Sequence, residues 1–124
     1  MRLLVLLVLS LSLWAQRKPT VELVGVRAHR VGDGKIAVDG RARANADKAI
    51  HGLTVVFDFL SADGALLTSL KTQVDDDVVA PGQESAFHGE TPTPPGAVKY
   101  KLHVFNSADK ELRASNTGPF VIEE

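Results

Sequence analysis

The sequence predicts an all-β fold, a single antiparallel β-sandwich of about seven strands. Apolar and polar residues alternate in short runs, as they do in strands that bury one face. Residues typical of turns separate these runs. After residue 15, no apolar pattern keeps the 3.6-residue period of a helix for three turns. We therefore expect residues 16–124 to form one domain, because a chain of this length closes one modest core.

The first two strands are expected over residues 21–29 and 35–45. A Gly-Asp-Gly turn separates them, because glycine tolerates the positive φ that tight turns require. Alternation in the second strand places small and apolar side chains on one face and charged side chains on the other. The expected inward set is Ile36, Val38, Gly40 and Ala42, and the outward set is Asp39, Arg41 and Arg43.

The third and fourth strands are expected over residues 53–60 and 66–74, joined into a hairpin by Ser-Ala-Asp-Gly. Asp58 alternates with apolar neighbours, so it should point away from the core, and its replacement by alanine should be nearly neutral. Asp63 precedes Gly64, as is usual in hairpin turns. We interpret Asp58 as a polar residue on the outward face of its strand and Asp63 as a turn residue. A catalytic pair of carboxylates would need a shared cleft, and the sequence does not indicate one. The predicted core face of the third strand consists of Val55, Phe57 and Phe59.

Three further segments complete the expected sandwich. A short fifth strand is expected around residues 84–90 and a sixth strand over residues 97–106. The connection TPTPPG between them is expected to be extended and irregular, because proline cannot donate to a sheet ladder. The last segment, residues 111–122, is interrupted by Gly-Pro and predicts a bent edge strand.

Outward apolar residues predict the interaction surface. Strict alternation sends Phe105 outward, whereas the similarity of FLSADGALL to FNSADKELR favours an inward ring like Phe59, and a bulge would reconcile the two. If Phe105 points outward, it joins Val56 and Leu60 in an exposed apolar patch. These three are the candidate interaction residues, and the alternative is that they are covered core residues or isolated apolar residues of the surface. An edge strand open to β-augmentation is the other candidate surface.

Residues 1–15 predict a secretory signal peptide. Arg2 precedes an apolar run over residues 3–13, and Ala15 supplies a small residue for cleavage. The run is shorter than the roughly 20 apolar residues that span a bilayer. An uncleaved anchor is the alternative, because the residues before Ala15 make an imperfect cleavage sequence. We expect cleavage after Ala15 and an extracytoplasmic location, periplasmic or secreted, with no membrane attachment afterwards.

Composition removes several classes of function. The chain has 14 Lys and Arg and 15 Asp and Glu, and Arg2 alone of these lies in residues 1–15, so the domain has a net charge close to −2. It therefore lacks the clustered positive charge that nucleic acids require. The absence of cysteine excludes a disulfide scaffold and thiol catalysis. No nucleophile elbow or phosphate loop occurs, so we predict no enzyme activity and no cofactor.

Asp75, Asp76 and Asp77 are weak candidates for a metal site. Hard cations such as calcium bind clustered oxygen ligands. Three consecutive acids lack the alternating spacing of a calcium loop, however, and favour a solvated turn. Histidines suited to copper or zinc show no paired spacing, and two of them are expected on different sheets. The four histidines are His29, His51, His88 and His103.

The segment VDGRARANADKAIHGLTVVFDFLSADGALL resembles the core of FxLYD-type domains, small exported β-sandwiches of bacteria and archaea. Gly40 and Ala42 match the family's first strand, and Phe59 and Gly64 match its hairpin pattern, although Leu-Ser replaces Tyr-Asp. APGQESAF is similar to the family's Pro-Gly-x-x-x-x-Phe segment. A fibronectin type III-like or other immunoglobulin-like sandwich is the alternative, because PPGAVKYKLHV is similar to its tyrosine-corner strand.

Both resemblances imply an immunoglobulin-like sandwich, and neither supplies a catalytic residue. The expected function is therefore that of a non-enzymatic exported module with a protein-interaction or cell-envelope role and an unknown protein partner. An extracytoplasmic module that binds calcium or copper is the alternative.

Overall fold

The computed structural model describes residues 19–124, and the predicted signal peptide lies outside the described residues. The regular structure of the described part consists of β-strands and one short 3₁₀ turn at Gly32–Gly34, which confirms the all-β class. Within residues 19–124, no helix has the length and apolar character needed to cross a membrane.

The strands include six long ones, which correspond to the six expected runs. The seventh expected strand is instead three short pieces. The chain changes sheet at Arg113, which separates the first two pieces. The third is separate because Pro119 lacks an N–H and the backbone turns at Asn116 and Gly118, both with positive φ. The strands are β1 (Val21–Val31), β2 (Lys35–Ala44), β3 (Ile50–His51), β4 (Thr54–Leu60), β5 (Leu66–Gln73), β6 (Val78–Val79), β7 (Glu84–Pro92), β8 (Lys99–Phe105), β9 (Glu111–Leu112), β10 (Ala114–Ser115) and β11 (Phe120–Val121).

Two sheets pack face to face as a sandwich. The four-stranded sheet has the order β10-β1-β2-β7, with β10 parallel to β1. The five-stranded sheet has the order β11-β8-β4-β5, and β9 also pairs with β8. A two-stranded ribbon, β3-β6, is formed by the segments that connect the sheets.

The core lies between the two sheets and contains the predicted aromatic residues. The Phe57 ring lies 6.4 Å from Phe59, 5.9 Å from Phe87 and 5.7 Å from Tyr100, measured between ring centroids. Gly40 makes room for this cluster, since a Cβ at that position would lie 2.7 Å from Phe87 Cζ. The inward set predicted for β2 is confirmed by the burial of Ile36, Val38 and Ala42.

Two hairpin turns share one backbone conformation but are offset by one residue relative to their sequence similarity. Gly64 and Asp109 occupy the same turn position, and both have positive φ. Phe59 therefore stands two residues before its turn and Phe105 only one, so the two rings point to opposite faces of the sheet. Alternation predicts Phe105 correctly, and no bulge is needed. The matching bonds run from Ser61 N to Ala65 O, Gly64 N to Ser61 O, Asn106 N to Lys110 O and Asp109 N to Asn106 O.

The two sides of the sandwich differ. On one side the chain after β11 joins the sheets: β11 pairs with β8, while Glu123 N donates to Ala28 O and Arg30 N donates to Glu123 O, each at 2.8 Å. On the other side lie the edge strands β5 and β7. Within residues 19–124, the bond from Asp75 N to Ala86 O is the one backbone hydrogen bond that links the end of β5 to β7.

Candidate functional site

The outer face of the five-stranded sheet carries a chain of polar side chains centred on Asp58. Asp58 points outward as predicted, but it is only 9 % exposed and is therefore not a solvated strand position. Ser69 Oγ donates to Asp58 Oδ1 at 2.6 Å, and His103 Nε2 lies 3.0 Å from Asp58 Oδ2. On its other side, His103 Nδ1 lies 3.0 Å from Glu111 Oε2. Neighbouring strands therefore enclose the carboxylate, which a single strand's alternation does not reveal.

This polar network spans β5, β4, β8 and β9. Carboxylate oxygens only accept hydrogen bonds, so His103 can donate to both neighbours only when both ring nitrogens carry protons. The serine donates to the aspartate and not to the histidine, so the arrangement is not a nucleophile activated by a base. The network fixes the relative positions of four strands on the outer face.

A hollow of about 290 Å³ lies beside this network. Val56 and Phe105 line it with Thr54, and Lys71 and Asp109 bring opposite charges to it. Two of the three predicted interaction residues therefore come together. Phe105 is half-buried, whereas Val56 is 8 % exposed, so the expectation of an exposed side chain at residue 56 is wrong. Lys71 on β5 and His103 on β8 are the cross-strand neighbours of Val56, and they flank it on both sides.

Leu60, the third predicted residue, lies at the other end of β4. It is 6 % exposed, so its expected exposure is also wrong. Leu66 stands opposite it on β5 and Lys99 on β8, and the long stems of such neighbours cover an outward apolar residue. Leu66 itself is 61 % exposed and makes this end of the outer face apolar.

Lys71 and Asp109 belong to the site but were not among the sequence candidates. Lys71 stands opposite Val56 in the register of β4 and β5, and alternation counted back from the hairpin turn could have placed it there. Asp109 reaches the hollow because it occupies the turn position that glycine fills in the other hairpin. The similarity of the two turns was visible in the sequence, but their one-residue offset was not.

The three consecutive aspartates do not converge. Ser85 Oγ donates to Asp76 Oδ2 at 2.7 Å and accepts from Asp76 N at 3.0 Å, while Asp77 O accepts from Gly52 N. Asp75 Oδ1 lies 4.0 Å from His88 Nδ1. Within residues 19–124, no group of three or more His, Asp or Glu side chains is arranged to hold a metal ion. The metal hypothesis stays a prediction, without a converged set of ligands.

His103 and His88 lie on different sheets, as expected. Asp63, the other carboxylate of the hairpin, is exposed and serves the turn. Its side chain accepts from the Ser61 hydroxyl, and this hydrogen bond holds the pKa of Asp63 below its usual value. Asp63 and Asp58 do not share a cleft, because Asp58 is enclosed by Ser69 and His103.

Comparison with known proteins supports the fold alone. No protein-family model matches the chain, and no curated protein matches it. Solved structures with similar folds include IrmA from Escherichia coli, with 11 % identity, a TM-score of 0.54, and coverage of 86 % of this chain and 100 % of that one. The C-terminal domain of Wzt shares 10 % identity at a TM-score of 0.54, over 86 % of this chain and 81 % of that one.

A β-glucuronidase of Bacteroides uniformis is also similar in fold. It shares 16 % identity at a TM-score of 0.55, and the match covers 76 % of this chain but only 13 % of the glucuronidase. At such identities the likeness concerns the β-sandwich and carries no activity over to this chain.

Proposed function

We propose that this protein is a non-enzymatic, exported β-sandwich module that binds a protein partner through the outer face of its five-stranded sheet. The supporting observation is the hollow lined by Val56 and Phe105, which lies next to side chains of both charges. Interfaces combine an apolar centre with a polar rim in this way. Fixed strands hold the face, because the polar network connects four of them.

The chemistry of the network supports a binding role over catalysis. The Ser69 hydroxyl donates to a carboxylate and is not directed at a base, and the histidine is occupied on both ring nitrogens. The signal-peptide pattern supports export, and mass spectrometry of the protein recovered from its producing cells tests it. A mature chain that begins at Gln16 is the expected result, and an intact residue 1 would contradict the proposal of cleavage.

Site-specific photocrosslinking tests the binding face. A benzophenone amino acid replaces Phe105 in the hollow or, as a matched control, Ala86, which is exposed on the outer face of the four-stranded sheet. In the producing cells, residue 105 should crosslink to a defined protein and residue 86 should not. Equal adducts at both positions, or none at residue 105, would contradict the proposed face.

A further inference from the structure

We infer that the free edge of β5 pairs with an extended, acidic segment of the partner protein, so that the segment becomes an additional strand of the five-stranded sheet. This inference rests on the proposed function and specifies the chemistry of the partner. It depends on three features of β5: unpaired backbone groups, basic neighbours and the adjacent hollow.

The backbone of β5 alternates between its partner strand and the open side. Val74 N donates to Leu53 O at 3.1 Å, so even-numbered residues of β5 bond toward β4. Ser69, Lys71 and Gln73 therefore direct their N–H and C=O groups away from β4. In the described part of the chain, no backbone hydrogen bond reaches these groups. Asp75 N, next in this series, donates to Ala86 O and marks the end of the free edge.

The charges around this edge favour an acidic strand. Lys71 and Lys101 are exposed on the outer face, while the Asp58 carboxylate between them is already bonded to Ser69 and His103. Lys71 is the one charged side chain within β5, so the edge strand itself presents a positive charge. A lysine on an edge disfavours pairing with a second copy of the same edge. An acidic segment gains from the same lysine.

The hollow adds side-chain specificity to the pairing. The hollow lies between two cross-strand pairs of β4 and β5. One row is Val56 opposite Lys71, and the other is Thr54 opposite Gln73. An added strand would place alternate side chains above these rows, two positions apart in its own sequence. In the bound segment, an acidic residue would lie beside Lys71. An aromatic residue two positions away would lie beside Gln73, with its ring directed toward the hollow. This combination of backbone pairing and alternate side-chain contacts is how sheet edges bind extended peptides.

A capped eight-residue peptide tests the inference. It carries threonine at odd positions and Glu, Glu, Phe and Val at even positions, and a control peptide replaces both glutamates with lysine. The ¹⁵N-labelled protein, expressed from its full coding sequence, is titrated with each peptide. Binding of the acidic peptide should slow amide hydrogen exchange at Ser69, Lys71 and Gln73. Leu70 and Thr72 should change little, because they already bond to β4.

Backbone N-methylation of the peptide separates strand pairing from other binding without altering the protein. Methyl groups on one alternate set of residues should weaken binding about tenfold or more, because several hydrogen bonds are lost. Methyl groups on the other set should have little effect. The Lys71→Glu variant, checked for folding by circular dichroism, should bind the lysine peptide better than the acidic one.

The inference is overturned if the acidic peptide does not bind, if the three odd-numbered amides are not protected, or if both methylated sets weaken binding equally. These failures are distinguishable from failure of the proposed function. A partner crosslinked at residue 105, without protection along β5, would retain the binding face and remove the edge pairing. Protection along β5, with equal crosslinking at residues 105 and 86, would contradict the proposed face instead.

Discussion

Replacing Asp58 with alanine should destabilise the protein by about 2–3 kcal/mol. The carboxylate accepts from Ser69 Oγ at 2.6 Å and lies 3.0 Å from His103 Nε2. Hydrogen bonds to charged groups contribute about 1.5–3 kcal/mol each. The total stays below the sum of two, because His103 keeps its contact with Glu111 and Ser69 lies at an exposed edge where water replaces the carboxylate.

Equilibrium urea unfolding measures this effect as a shift of midpoint at constant m. Asp58→Asn should cost about half as much, because its amide oxygen still accepts from Ser69. Asp39→Ala is the matched control, since Asp39 points outward from the other sheet and makes no side-chain hydrogen bond or ion pair within residues 19–124. It should change stability by less than about 0.5 kcal/mol. If Asp58→Ala is as mild as Asp39→Ala, the carboxylate does not hold the outer face together.

Three further substitutions test the core. Phe57→Ala should cost about 3–5 kcal/mol in urea unfolding, because Phe57 is fully buried among three other rings; a cost under about 1 kcal/mol would contradict its place in the core. Gly40→Ala should cost about 1–3 kcal/mol, since the added Cβ meets Phe87 Cζ at 2.7 Å, whereas Gly32→Ala, with open space around it, should be nearly neutral. Burial, helped by the charge of Glu123, raises the pKa of Tyr100, so folding favours the neutral phenol. The stability from this group is complete below the unfolded pKa of about 10 and is lost as pH rises through the folded value. Above pH 10, the Tm of the wild type should therefore fall with rising pH more steeply than the Tm of Tyr100→Phe. If the two plots of Tm against pH are parallel, this prediction is contradicted.

Sequence alternation predicted the fold well wherever one strand's own pattern decides the outcome. The inward faces of β2 and β4 are confirmed, and Phe105 points outward as its strand's alternation requires. Alternation gives the direction of a side chain but not its exposure. Asp58, Val56 and Leu60 all point outward, yet they are buried by residues from neighbouring strands.

The candidate site depended on pairings that no local pattern contains. His103 meets Asp58 diagonally across two strands, and Glu111 reaches it from a two-residue strand that the sequence pattern merged into a longer one. The similar sequences around Ser61 and Asn106 do form the same turn, but their similarity conceals a shift of one residue. Such a shift reverses the face of every preceding side chain.

The closing of one side of the sandwich by residues 120–123 has a consequence for how the chain folds. During synthesis, β1 and β8 are complete well before the residues that join them. The parts of these edges that β9 and β10 do not cover stay unpaired until residues 120–123 can bind, and unpaired edges promote association between chains. Rapid final closure, or a chaperone that holds the chain until then, would suppress such association. Chains truncated before residue 120 should therefore aggregate more readily than chains that include residues 120–124.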